Sequence, residues 1–168
     1  MKQWLITDTH FCHQAMTRLC GRPPDFDTRI DKAVRQLVGA DDILIHLGDI
    51  LLGGKGDAWV HEHYIAAWPG RKILVRGNHD HRSLHWYMQH GWSFACDEIA
   101  IEMYGKKLLL THRPALGDHF DLNIHGHCHD KEFRESLNDD RHLLYAMERT
   151  NYQPVLLSRV AQDCRRII

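Results

Sequence analysis

Through the first half of the chain, short apolar runs are each halted by a cluster of polar residues and separated by amphipathic stretches. Trp4–Thr7 reads as a strand stopped by Asp8-Thr9-His10-Phe11-Cys12-His13. Between Arg29 and Val38, Ile30, Ala33, Val34, Leu37 and Val38 recur at i, i+3, i+4 and i+7, the spacing of one helix face. Asp27 or Thr28 is placed to cap that helix, and Gly39 to end it. Ile43–Leu47 is a second buried-type strand, stopped by Gly48-Asp49. The glycine-rich Gly53-Gly54-Lys55-Gly56 lacks the spacing and the Lys-Ser/Thr ending of a P-loop, so it reads as a connection. A helix is predicted over Asp57–Ala67, closed by Pro69-Gly70, and then a third strand, Ile73–Val75, ends in Gly77-Asn78-His79-Asp80. Strands alternating with helices predict βαβ units and a parallel sheet. Each polar cluster then falls at a strand's C-terminal end, where open α/β sheets bind ligands.

The second half is richer in strand patterns. Glu98–Met103 and Lys107–Thr111 flank Tyr104-Gly105-Lys106, a hairpin turn, and the second of these runs into His112-Arg113-Pro114. Asp121–Ile124 is a short strand leading into His125-Gly126-His127-Cys128-His129. A polar loop, Asp130–Asp140, precedes Leu143–Met147, and Asn151–Leu157 leads to a helix from about Ser158. With no repeat or linker, residues 1–168 read as a single α/β domain with two sheets or one long mixed sheet.

Composition changes this picture at one point. Apolar content of 43% and charged content of 26% are ordinary for a globular protein, and a net charge of −1 offers no global field for nucleic acid or an anionic membrane. Fifteen histidines in 168 residues are far more than usual, and imidazole is the commonest neutral metal ligand. The five cysteines (Cys12, Cys20, Cys96, Cys128, Cys164) form no CxxC pair and read as reduced thiols. The N-terminus reaches Asp8 too soon for a signal peptide's apolar region, and no run is long enough for a membrane span, so the expected location is cytoplasmic.

Metal-type ligands stand at five strand ends: Asp8/His10, Asp49, Asn78/His79, His112 and His127/His129. In extended structure residues i and i+2 point the same way, so Asp8-x-His10 and His127-x-His129 can each serve one ion or two adjacent ones. A mixture of Asp, Asn and His suits a borderline transition metal better than calcium or structural zinc. The ordered set Asp8-x-His10, Gly48-Asp49, Gly77-Asn78-His79-Asp80, His112 and Gly126-His127-x-His129 resembles the calcineurin-like metallophosphoesterases, and Leu143–Leu157, with Asn151-Tyr152-x-Pro154-Val155, resembles the closing strands of their small bacterial, archaeal and phage members. That resemblance implies two facing mixed β-sheets flanked by helices, a four-layer sandwich with the active site at the strand C-terminal ends. It implies two divalent ions, manganese foremost, with iron, nickel, zinc, cobalt or magnesium as alternatives. One ion would take Asp8, His10 and His129, the other Asn78, His112 and His127, with Asp49 bridging. His79 would face the phosphoryl group and donate a proton to the leaving group, oriented by Asp80, while a metal-bound hydroxide attacks phosphorus.

Other residues carry two readings each. His13 can line the site or face solvent; His46 and His125, inside apolar runs, read as packed histidines; Cys128 reads as a packed thiol. Arg113 reads equally as a grip on substrate phosphate and as a surface arginine before proline. Trp59, Trp68, Trp86 and Trp92 read as core and helix-packing residues, His61 and His63 fall on different helix faces, and His79, His81 and His85 crowd one side of the site. The expected activity is phosphodiester hydrolysis on a substrate whose identity the sequence leaves open. The alternatives are a phosphomonoesterase acting on a nucleotide, a nucleic-acid end or a phosphoprotein, and a non-catalytic scaffold of the same fold. Nucleic acid as a partner would need a local patch such as Arg134, Arg141 and Arg149.

Overall fold

Alternation along the first strand decides the layering. The computed structural model describes residues 1–129 and 140–163, the last three by backbone alone. The loop expected over Asp130–Asp140, apart from Asp140 itself, lies outside these residues, as do Arg134 and Cys164. β1 (Gln3–Ile6) turns Trp4 and Ile6 to one face and Leu5 to the other. β2 (Ile43–His46) and β3 (Arg71–Val75) repeat the pattern, with Leu44 and Leu74 on the first face and Ile45 and Val75 on the second. The first face packs against helices, the second against another sheet, so both are apolar, as a doubly covered parallel sheet requires.

The first sheet has the order β4-β3-β2-β1-β9. Its strands run parallel through β4 (Phe94–Cys96), and β9 (Val155–Leu156) is antiparallel to β1. Ile6, His46 and Leu74 stand opposite one another, so three loops leave the sheet at one level. The second sheet has the order β5-β6-β7-β8, built from β5 (Ile99–Met103), β6 (Lys106–Leu110), β7 (Leu122–His125) and β8 (His142–Leu144). β5 and β6 form the expected hairpin, whose two-residue loop holds Tyr104 and Gly105 at φ of 56° and 72°. Positive φ at both positions matches the strands' right-handed twist. β6, β7 and β8 run parallel, and Leu108, Leu110, Leu122 and Ile124 face the first sheet's inner residues.

On the first sheet's outer face lie α1 (Met16–Leu19), α2 (Phe26–Leu37), α3 (Asp57–Val60) with a π-helical turn (His61–Ile65), and α4 (Leu84–Gln89). They contribute Met16, Phe26, Ile30, Val34, Val60, Ile65 and Tyr87 to one core, with Trp68 from the following loop. α5 (Leu157–Asp163) adds Leu157 and Val160 to the inter-sheet core. The architecture is thus two facing mixed sheets flanked by helices. Among the described residues, the second sheet's outer face carries the loop 113–121, tied down by Asn123, which accepts from the Ala115 N–H and donates to Leu109 O and Thr111 Oγ1. No helix among the described residues is long and apolar enough to cross a membrane.

Three details depart from expectation. α2 begins at Phe26, and Asp27 spends its carboxylate on the Cys12 N–H (3.1 Å) rather than on a cap. The helix predicted over 57–67 is α-helical for one turn and then widens, with the Ala66 N–H reaching His61 O at 2.7 Å. The wider turn lets His61 Nδ1–H donate to Asp57 O (2.8 Å) while remaining 1% exposed. Trp59 is not core: it is 51% exposed and stacks on His63.

Candidate active site

The seven ligand candidates converge, but extended backbone is not what aims them. Asp8, His10, Asp49, His127 and His129 all have φ between 47° and 66°, five of the nine non-glycine residues in the left-handed region among those described. Such residues cost of order 1–3 kcal/mol each and cluster at functional sites. Alternating left-handed residues, rather than a strand's pleat, bring Asp8 and His10 to one place, and likewise His127 and His129. Cys128, between the latter two, points into the core and is fully buried.

Close backbone approach explains two glycines. A Cβ on Gly77 would overlap Asp49 Oδ1 and the Asp49 N, and one on Gly126 would overlap the side chains of Thr7 and Asp8. Gly77 is therefore needed for contact between the β2 and β3 loops and not for an unusual turn; its φ is not positive. Asp80 joins the same loops. Its carboxylate accepts the N–H groups of Gly77 (2.7 Å), Asp49 (2.8 Å) and Ile50 (3.2 Å). The expectation that Asp80 orients the His79 imidazole is corrected accordingly: both oxygens face backbone. Burial and the neighbouring Asp49 charge push Asp80 up to about 6, against those donors.

Asp49 Oδ2 is the geometric centre. It lies 3.3 Å from His112 Nε2, 3.7 Å from His10 Nε2 and 3.8 Å from His79 Nε2, while Oδ1 accepts the His79 N–H at 2.9 Å. Two donor groups flank it: Asp8, His10 and His129 on one side, and Asp49 itself with His112 and His127 on the other. Asn78 joins the second, its Oδ1 3.0 Å from His112 Nε2. His112 Nδ1 donates to Leu47 O at 2.8 Å, which leaves Nε2 to face Asn78 Oδ1, Asp49 Oδ2 and, at 3.2 Å, His127 Nδ1. Several acceptors crowding one nitrogen suit a cation between them.

Electrostatics carries the same mark. Burial alone would lower His112, but the hydrogen bond to Asp49 and the charges of Asp8 and Asp49 raise it to about 9. Burial would raise Asp49, yet His112, the His79 N–H and His10 hold it well below the carboxylate range. Asp8 is raised by burial, and burial drives His10 down to about 2. Both ring nitrogens of His10 are buried without a hydrogen-bond partner among the described residues. Buried imidazole nitrogens are ordinarily satisfied, so a ring with two orphans, aimed at two carboxylates, fits a cation ligand. The residues present therefore suit two divalent ions.

The surroundings are neutral and braced. The Gly48 N–H donates to His46 Nδ1 (3.0 Å), His46 Nε2–H to Thr9 Oγ1 (3.0 Å), and Thr9 Oγ1–H to Ile50 O (3.0 Å). His46, pushed down to about 3 by burial, thus pins two ligand loops together as a neutral ring. His125 is buried against Gly126 O (2.9 Å), driven down to about 4 by the same cause. His79 is the ring left one-third exposed at the mouth, with His13 and His81 at its rim. His85 and Arg113 are exposed, and Arg141 spends its guanidinium on Phe120, donating to its carbonyl and lying over its ring.

Sequence reasoning missed Arg22 and Glu148. Arg22 donates to Asp8 O (2.8 Å), Thr9 O (2.9 Å) and Glu148 Oε1 (2.8 Å), and that same oxygen lies 3.4 Å from His129 Nδ1. Burial opposes ionisation of Glu148, but His129 and Arg22 hold it down at about 2. Each is a single charged residue in an irregular segment, so neither had a pattern to reveal it.

Comparison with known proteins adds the following. The family model described as calcineurin-like phosphoesterase matches residues 1–146. An uncharacterised protein of the archaeon Methanocaldococcus jannaschii is 30% identical over 173 residues, covering 96% of this chain and 90% of its own length. The crystal structure of an Aquifex aeolicus protein of unknown function superposes with a TM-score of 0.77 at 26% identity, covering 96% of this chain and 98% of that one. A novel archaeal phosphodiesterase shares the fold at 19% identity and a TM-score of 0.50, over 94% of this chain and all of the other.

Proposed function

The chain belongs to the calcineurin-like phosphoesterase family and is a metal-dependent hydrolase of phosphoester bonds, and we propose that it is a phosphodiesterase with His79 as its proton donor. Asp49 carries this reading: its buried carboxylate lies among the two donor groups, with the one-third exposed His79 imidazole 3.8 Å from Oδ2. Two divalent ions bound there would neutralise charge on a phosphoryl group and lower the pKa of attacking water. Asp8, His10 and His129 would hold one ion and Asn78, His112 and His127 the other, with Asp49 shared. Which metal the protein takes follows from availability, and manganese is the first to test.

His79 would face the leaving alkoxide, and a proton delivered from its ring would avoid expelling that group as an anion. Its backbone N–H is tied to Asp49 Oδ1, so the ring's position is set by the same carboxylate that defines the centre. Asn78 and Arg113 would contact the phosphoryl oxygens. A diester needs room on both sides of phosphorus, and among the described residues the His79 ring is one-third exposed.

The test compares hydrolysis of bis-p-nitrophenyl phosphate and p-nitrophenyl phosphate with Mn²⁺, with and without chelator. Chelator-sensitive turnover with the diester preferred is expected. Preference for the monoester would support the phosphomonoesterase reading. Absence of metal-dependent turnover of either ester across pH would point to a non-catalytic scaffold.

A further inference from the structure

We propose that Arg22 and Glu148 form a positioning pair for one half of the metal centre, Glu148 holding the Nδ1 edge of His129 so that Nε2 is left for the cation. The inference rests on the two-cation reading above.

The two residues are 126 positions apart and meet under the site. Arg22's side chain is fully buried and Glu148's is 7% exposed. A buried guanidinium needs its donors filled, and Arg22 fills them with Glu148 Oε1 and the carbonyls of Asp8 and Thr9. Those carbonyls belong to the left-handed turn that presents Asp8 and His10. The pair thus ties the segment after β8 to the loop after β1.

His129 Nδ1 and Glu148 Oε2 are both buried without a hydrogen bond among the described residues, and Nδ1 stands 3.4 Å from Oε1. A small ring rotation would satisfy Nδ1, and the N–H so formed would leave Nε2 as the ligand. The other half-centre has the same device in a weaker form, where His112 Nδ1 donates to the neutral Leu47 carbonyl. A carboxylate behind a ligating imidazole makes it a stronger donor than a carbonyl does.

Cys20, His129 and Glu148 also bring one donor atom each within 4.8 Å of the others. A separate cation there would face the fixed positive charge of Arg22 on Glu148, and would compete for a histidine that already belongs to the Asp8/His10 group. The cluster is better suited to supporting His129 than to holding an ion of its own.

The proposal predicts asymmetry. Calorimetric titration of the chelator-stripped full chain with Mn²⁺ should find two equivalents in wild type. Glu148→Ala should bind one equivalent unchanged and the other 10- to 100-fold more weakly. Glu148→Gln, which keeps an acceptor oxygen, should fall between. Nitrogen-15 spectra of the Zn²⁺-loaded wild type should show His129 as the Nδ1–H tautomer, a preference lost in Glu148→Ala. Should Glu148→Ala fail to fold by circular dichroism, Arg22→Met/Glu148→Leu removes the pair without stranding a charge, and the same asymmetry is expected of it. Two unchanged equivalents in a folded variant, or both weakened alike, overturn the proposal. A wild-type chain binding fewer than two equivalents overturns the two-cation reading itself.

Discussion

Asp80 holds three N–H groups from two loops on one carboxylate, and replacing it tests what such a residue does. Asparagine has one acceptor oxygen and two donors, so at least one buried N–H would lose its partner, at about 1–3 kcal/mol. Asp80→Asn should lower stability by that amount in urea unfolding and reduce kcat, yet leave the shape of the pH–rate profile as in wild type. A displaced pH limb with unchanged stability would show that Asp80 works through the His79 ring after all. For His79 itself, His79→Asn should retain both metal equivalents while losing 10²- to 10⁴-fold in turnover of a diester with a poor leaving group. The loss should be smaller for p-nitrophenolate, which leaves without help. Equal activity of wild type and variant on the poor-leaving-group ester would remove His79 from the mechanism. At this scale, legibility follows chemistry. Asp8, His10, Asp49, Asn78, His112, His127 and His129 were readable because the same residue types recur at the ends of apolar runs. The partners of Asp80 are not legible, because a carboxylate next to a histidine in sequence gives no hint that it accepts the N–H groups of residues 49 and 50.

The strands and α2 were legible at the scale of elements because their apolar spacing is imposed by packing on one or two faces. β4, of three residues, and the π-helical turn were not. A short edge strand carries too little pattern, and the wider turn follows from where His61 must sit. That ring is held among Trp86, Tyr87 and Trp92, with centroids 5.0, 5.5 and 6.3 Å away. Burial lowers His61 to about 4, against about 6.5 in an unfolded chain. Between those values the unfolded state binds more protons, so stability falls as pH drops through the window. The loss between pH 7.5 and pH 5 is on the order of 2 kcal/mol from this group, since one pKa unit is worth about 1.4 kcal/mol. Urea unfolding of metal-free protein at the two pH values should show that difference, and His61→Gln should reduce it by about that much. An unchanged pH dependence in the variant would mean that His61 is not a neutral buried ring.

Across the whole molecule, the centre joins two sheets that otherwise meet through apolar contacts. The first sheet's loops supply Asp8, His10, Asp49 and Asn78; the second sheet's supply His112, His127 and His129. Four ligands on one side and three on the other make bound cations a clamp across the inter-sheet core of Leu5, Ile45, Val75, Leu108, Leu110 and Ile124. Without cations, Asp8 and Asp49 face each other in a buried site, and the orphaned nitrogens of His10 remain unsatisfied. A ligand that binds only the folded state stabilises it by about 2.7 kcal/mol at a hundredfold excess over its Kd, so two independent sites give about 5 kcal/mol. In a chain of this size each kcal/mol moves Tm by roughly 2–4 °C. Thermal melts with Mn²⁺ and with chelator should therefore differ by on the order of 10–20 °C. Asp49→Asn removes the charge shared by both groups and should abolish most of that difference, and it also removes a carboxylate that His112, the His79 N–H and His10 stabilise in the metal-free protein. Its chelated Tm should thus lie below that of chelated wild type, since a carboxylate held below its ordinary range stabilises the folded state at neutral pH. A variant that still gains the full increment from Mn²⁺ would show that the two cations do not meet at Asp49.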